Sequence, residues 1–188
     1  PVAAHGDGWN AVIHVTVSPT AAAGTSATSK VVVKLLVDTH HDHALIGSLQ
    51  VVPPAGFQLT AATAKKGARS LSVSTAGGAA TLDNVDLKKA GQTIRLRLTS
   101  TVRCGTAGAT RWTVTPHEAA QFSDTSGRQR FGRDATSRLR TDVAGCSLAF
   151  LRQPAFSGTG TTITSVAADP SGSKVAVQLL DGNGQPSS

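Results

Sequence analysis

Glutamate occurs once in the 188 residues, at Glu118, and methionine and tyrosine do not occur at all. With one Glu, carboxylate chemistry rests on ten Asp, most of them in turn contexts such as "DPSGS" and "DGNGQ". A paired-carboxylate glycosidase needs two positioned acids. Asp83 and Asp86 come nearest, and they read better as surface and turn acids. Neither turn has the spaced carboxylates of an EF-hand loop, so both read as hairpin turns and not as calcium loops. Aromatics make up 4% of the chain, which leaves no stacking array for bases although the net charge is +7. The charges are dispersed and no nucleic-acid motif appears, so nucleic acid is set aside as a partner. Anionic cell-wall polymers or membrane surfaces suit such a charge as well. The longest apolar runs, such as "VVVKLLV", fall far short of the roughly 20 residues that span a bilayer. No signal peptide is visible, and the chain starts at Pro1 without methionine. The expectation is a mature or excised extracellular segment.

Cysteine is also scarce. Only Cys104 and Cys146 occur, and no C-x-x-C. Zinc would need more ligands at suitable spacing. In an exported chain the two would close a long loop as a disulfide, worth about 3–5 kcal/mol in the chain-entropy account. Otherwise they are two buried thiols.

Thr, Val, Ser, Ala and Gly dominate what remains, a balance that suits pleated surfaces punctuated by turns. In "WNAVIHVTVSP", Val12, His14 and Thr16 would face one side and Ile13, Val15 and Val17 the other. "SATSKVVVKLLVDT" mixes an apolar run with Lys30 and Lys34. "ALIGSLQVV" runs into "PPAGF", where Pro53, Pro54 and Gly56 force a turn. "FQLTAAT", "RSLSVSTA" and "AATLDNVDL" follow. The clearest period of two lies in "LKKAGQTIRLRLTSTV", with Ile94, Leu96, Leu98 and Ser100 inward and Arg95, Arg97 and Thr99 outward. "TRWTVTP" places Trp112 and Val114 on one face of a further strand. Residues 118–140 are polar, Arg-rich and loop-like, and no helix is convincing. Seven or more short strands with turns between them predict an all-β antiparallel sandwich.

The chemical candidates are few. "VDTHHDHALIG" holds His40, His41 and His43 with Asp38 and Asp42. In an extended segment His41 and His43 share a face and could hold a divalent metal with Asp38, with His5, His14 or His117 as a further ligand. The competing reading is a polar turn. A hydrolase triad has Ser, His and Asp to draw on but no G-x-S-x-G context, so no catalytic residue is implied. A Lys34–Asn84 isopeptide bond would need a buried amine, and Lys34 can equally point outward. Arg128, Arg130, Arg133, Arg138 and Arg140 form a cluster that could hold phosphate or sulfate on a polyanion, with Arg128, Arg130 and Arg133 at its head. Asp134 and Asp142 partly offset it, and a solvated loop is the plainer reading.

Two regions carry a resemblance. "LQVVPPAGFQLTAATA" with "LDNVDLKKAGQTIRLRLTSTV", and then "RWTVTPHEAAQFSDTSG" with "CSLAFLRQPAFSGTGTTITSVAADPSGSKVAVQLLDGNG", resemble the Ig-like conserved repeat domain of large secreted actinobacterial cell-surface proteins. The likeness covers roughly residues 30–188. It departs where "QVVPP" lacks the acidic residue usual before the P-x-G turn, and the His-rich turn is no part of the pattern. The resemblance implies surface display, adhesion or structural spacing. It implies that Cys104 and Cys146 tie the end of one strand to the last strand of a first module. A second module would start near Ser147 and be cut short by the chain end.

The expectation is therefore an Ig-like β-sandwich over residues 1–146, then a partial second Ig-like module or strand-donating tail over 147–188. It would be an extracellular structural or adhesive module without catalysis or cofactor. Its partners would be neighbouring modules of the same protein, other surface proteins or anionic cell-wall polymers. One alternative is a filament subunit that joins homo-oligomers by strand addition. Another is a secreted protein that binds divalent metal through the DTHHDH turn.

Overall fold

The computed structural model describes residues 12–37, 46–126, 131–150 and 177–187. Alternation along the strands sets its architecture. Six strands form one sheet in the order β11 (Gly132–Arg133), β1 (Val12–Val17), β3 (Ser26–Val37), β8 (Thr93–Val102), β5 (Phe57–Lys66) and β6 (Arg69–Leu71). The facing layer consists of two three-stranded sheets. One is β10 (Thr113–His117), β4 (Ser48–Val52) and β7 (Ala80–Leu82); the other is β2 (Thr20–Ala22), β12 (Arg140–Ala144) and β9 (Gly108–Arg111). The result is an antiparallel Ig-like β-sandwich with two parallel pairings, β1 with β11 and β12 with β2. A single 3₁₀ turn, Ala76–Gly78, is its only helical element among the described residues.

The core lies between the layers. From the six-stranded sheet it takes Ile13, Val15, Val31, Val33, Leu35, Ile94, Leu96 and Leu98; the facing layer adds Leu49, Val51, Leu82, Trp112 and Val114. Each fully buried aliphatic side chain of this kind contributes about 1.5–3 kcal/mol relative to exposure. Trp112 meets Phe57 edge to face, with ring centroids 5.7 Å apart. In β8 the inward set is Ile94, Leu96, Leu98 and Ser100, and Arg95 and Arg97 are exposed, so strict alternation holds along the whole strand.

"TRWTVTP" does not form one strand. β9 and β10 meet at Trp112, whose backbone N–H donates to Leu139 at 2.9 Å. The chain leaves β12 there and joins β4, so one continuous stretch serves both halves of the facing layer. The Arg-rich segment also carries more order than a loop, since β11 lies within it and Arg138 bridges Thr16 of β1.

The "PPAGF" turn forms as its residues require. Gly56 has φ of 88°, a left-handed value that side chains disfavour, and Phe57 N–H donates to Pro54 C=O at 3.1 Å. At the same end of the sandwich Cys104 and Cys146 form a disulfide, linking the exit of β8 to the exit of β12.

β13 (Ser147–Phe150) pairs antiparallel with β14 (Val177–Leu180). The turn after β14 folds back onto the sandwich, where Gly182 N–H donates to Ala23 C=O at 2.8 Å.

Candidate functional site

Three of the five clustered arginines are described: Arg133, Arg138 and Arg140. With Arg111 they line an open groove of about 630 Å³. The backbone explains their convergence. Arg138 N–H donates to Val15 C=O at 2.7 Å and Val17 N–H donates to Arg138 C=O at 2.9 Å, so the segment is stitched to the free side of β1. Two residues later β12 begins and pairs with β9, which sets Arg140 directly opposite Arg111. Asp142 Oδ1 accepts from Arg140 Nε at 3.3 Å, an exposed pair of small energetic weight. Arg111 was absent from the sequence-based cluster. It lies 29 residues before Arg140, and only strand register brings the two together. Arg128 and Arg130 lie outside the described residues.

Beside this groove Asp134 organises its loop. Its Oδ2 accepts from His14 Nδ1 at 2.9 Å, from Thr136 N–H at 3.2 Å and from the Thr136 hydroxyl. The Thr136 hydroxyl and the His14 contact hold the Asp134 carboxyl below the usual aspartate range. This is an Asp–His pair with a hydroxyl, but not a hydrolase arrangement. The hydroxyl sits on the Nδ1 side with the carboxylate, whereas a nucleophile belongs at the opposite ring nitrogen. Ser137 Oγ accepts from Val15 N–H at 3.0 Å.

Other sequence candidates have structural duties. Asp83 Oδ1 accepts from Phe122 N–H at 2.8 Å, and Asp86 pairs with Lys88 at 3.2 Å. Asp181 Oδ1 accepts from the N–H groups of Asn183 and Gln185, which closes the "DGNGQ" turn. Lys34 is exposed and Asn84 lies beyond β7 in a left-handed conformation, so the buried amine of an isopeptide bond is missing at that pair.

Asp38, His41 and His43 lie outside the described residues, as does His5. Of the other imidazoles considered with them, His14 is engaged by Asp134. His117 is buried and stacked on Phe122 at 4.1 Å, with its Nδ1 unpartnered. Among the described residues no three ligand-type side chains gather as a metal site.

No family model matches the chain, and no curated protein matches it. Several solved structures do. A non-cellulosomal cohesin from the archaeon Archaeoglobus fulgidus has a TM-score of 0.42 and 8% identity over 71% of this chain and 91% of the other. The N-terminal domain of a Streptococcus gordonii adhesin has a TM-score of 0.43 and 16% identity, over 70% of this chain and 32% of the other. The full-length major pilin SpaD from Corynebacterium diphtheriae has a TM-score of 0.44 and 10% identity, over 72% of this chain and 35% of the other. The chain thus spans about a third of the adhesin and pilin chains. A likeness at this level says nothing about binding or assembly.

Proposed function

We propose that the chain is an extracellular structural or adhesive module of a surface protein and not an enzyme. The observation that carries this is the Cys104–Cys146 disulfide joining the two layers of the sandwich. Stable disulfides belong to oxidising compartments. The absence of catalysis is supported by the duties of Asp83, Asp134, Asp181 and His14 in turns and loop pins. Surface biotinylation and thiol alkylation of intact cells test the proposal. The expected result is a labelled protein without free thiol. A protein confined to the cytosolic fraction with two alkylated cysteines would sink it.

A second reading, assembly through residues 147–188, is favoured by one feature. Leu148 stands opposite Leu179, and Phe150 opposite Val177, and all four side chains are exposed on one face of the β13–β14 ribbon. Contiguous exposed apolar surface of this kind marks interaction sites. This reading treats 147–188 as a strand-donating tail or as part of a second module that packs on a neighbour. Size-exclusion chromatography of the full chain against Leu148→Ser/Phe150→Ser separates the cases. A monomer in both removes the assembly reading.

A further inference from the structure

The outward face of the six-stranded sheet is cationic without compensation. Lys30 stands directly opposite Arg97 across β3 and β8, and Arg95 directly opposite Lys65 across β8 and β5. Lys34 lies one row further along β3. All five are exposed. Among the described residues none has a carboxylate within ion-pair distance. Like charges in direct cross-strand register destabilise a sheet. Two such pairs side by side are therefore a cost to the free protein, and one that an anionic ligand reverses.

The shape suits an extended ligand. Lys30, Lys65, Arg95 and Arg97 line an open groove of about 790 Å³ with Val32 and Thr63. Strand spacing puts opposite cations about 4.8 Å apart at the backbone and successive rows about 6.7 Å apart.

The chemistry narrows the class. Guanidinium forks bind phosphate bidentately, and Thr hydroxyls add neutral donors. Thr16, Thr63 and Thr93 stand on the same face. Trp112 and Phe57, by contrast, are buried in the core. Among the described residues of the sheet's outward face the one ring is the His14 imidazole, opposite Lys34 and held by Asp134, so no array of rings is there on which successive bases could stack. We propose that this face binds a linear phosphodiester polyanion without bases, of the polyol-phosphate type, laid across Lys30, Arg97, Arg95 and Lys65. The site is distinct from the Arg-lined groove. It depends on the surface-protein reading only for where such a polymer is met.

The test uses purified full chain and polyglycerol phosphate as probe, with affinity measured against salt. Four phosphate contacts predict a slope of log affinity on log salt near −3, about a 60-fold loss between 50 and 200 mM. Arg95→Thr/Arg97→Thr should halve that slope, whereas Arg111→Gln/Arg140→Gln should leave it within about 20% of wild type. Without polymer the first variant should unfold at or above the wild-type temperature, because it removes two repelling partners. That readout separates lost binding from misfolding. No binding at low salt, or an unchanged slope in Arg95→Thr/Arg97→Thr, overturns the proposal. So does tenfold tighter binding of single-stranded oligothymidine at the same residues, which assigns the face to nucleic acid. Failure of the cell-surface labelling above would leave this binding result standing.

Discussion

The indole N–H of Trp112 donates to the hydroxyl of Thr141 at 2.9 Å, and that hydroxyl donates in turn to Ser18 C=O at 2.7 Å. Both side chains are buried, so the relay holds the Trp112 crossover against β12 with no solvent to share the work. Thr141→Val keeps the shape and removes the hydroxyl. It orphans the buried indole donor and a part-buried acceptor, which costs about 1–3 kcal/mol. Thr141→Ser keeps the relay and should cost about 1 kcal/mol for the lost methyl. Urea unfolding of both variants distinguishes a hydrogen-bond effect from a packing effect. Equal losses would contradict the relay.

The disulfide closes a loop with a sequence separation of 42. For a loop of that size the chain-entropy account gives about 4 kcal/mol. Cys104→Ser/Cys146→Ser should lose stability of this order in thermal unfolding, with the far-UV spectrum still that of a β protein. A loss under about 1 kcal/mol would mean that the unfolded chain is already constrained without it.

At Gly56 two effects can be separated. An alanine Cβ there would collide with Thr106 Oγ1, and the backbone φ is 88°. Gly56→Ala should cost more than about 2 kcal/mol, since the left-handed strain alone is about 1–2 kcal/mol. Gly56→Ala/Thr106→Ala removes the hydroxyl and methyl and should retain the strain and a tight 3.0 Å approach to the Cβ at 106. If the double variant is no more stable than the single one, the hydroxyl is not the obstacle.

Asp134 gives the loop at 132–137 a pH dependence with a fixed sign. Its folded carboxyl is lowered by the Thr136 hydroxyl first and by His14 second, relative to about 3.9 in an unfolded chain. The stability it contributes is full above that unfolded value and is lost as pH falls through the lower folded one. Asp134→Asn should therefore be less stable than wild type at pH 6, and the gap should close towards pH 2. A gap that is constant over this range would remove Asp134 from the account.

How much of this was legible in the sequence follows from what each feature depends on. β8 was readable because one face is core and the other solvent, so Ile94, Leu96 and Leu98 alternate with Arg95 and Arg97. The turn at Gly56 was readable because turn chemistry is local. The break at Trp112 was not, since no Pro or Gly marks it and the cause is a change of partner strand. β11 went unread inside a polar segment, because backbone pairing of Gly132 and Arg133 with β1 needs no apolar side chain. The cationic rows were invisible for a similar reason. Lys30 and Arg97 are far apart in sequence, and only register makes them neighbours. Trp112 and Thr141 likewise reveal their bond only once β9, β10 and β12 are assembled.

The position of the disulfide shapes how the sandwich moves. Cys104 and Cys146 bind the two layers at one end, with Gly24 beneath them and the turn at Asp181 against it. At the opposite end, among the described residues, the layers are held by side-chain packing and by Lys66 Nζ, which donates to Asp86 C=O. The molecule is thus bound covalently like a book along one edge, and the pages should part first at the other. Amide exchange should quicken along β8 from Val102 towards Thr93. A load applied across the sandwich would open that far margin while the spine stays shut.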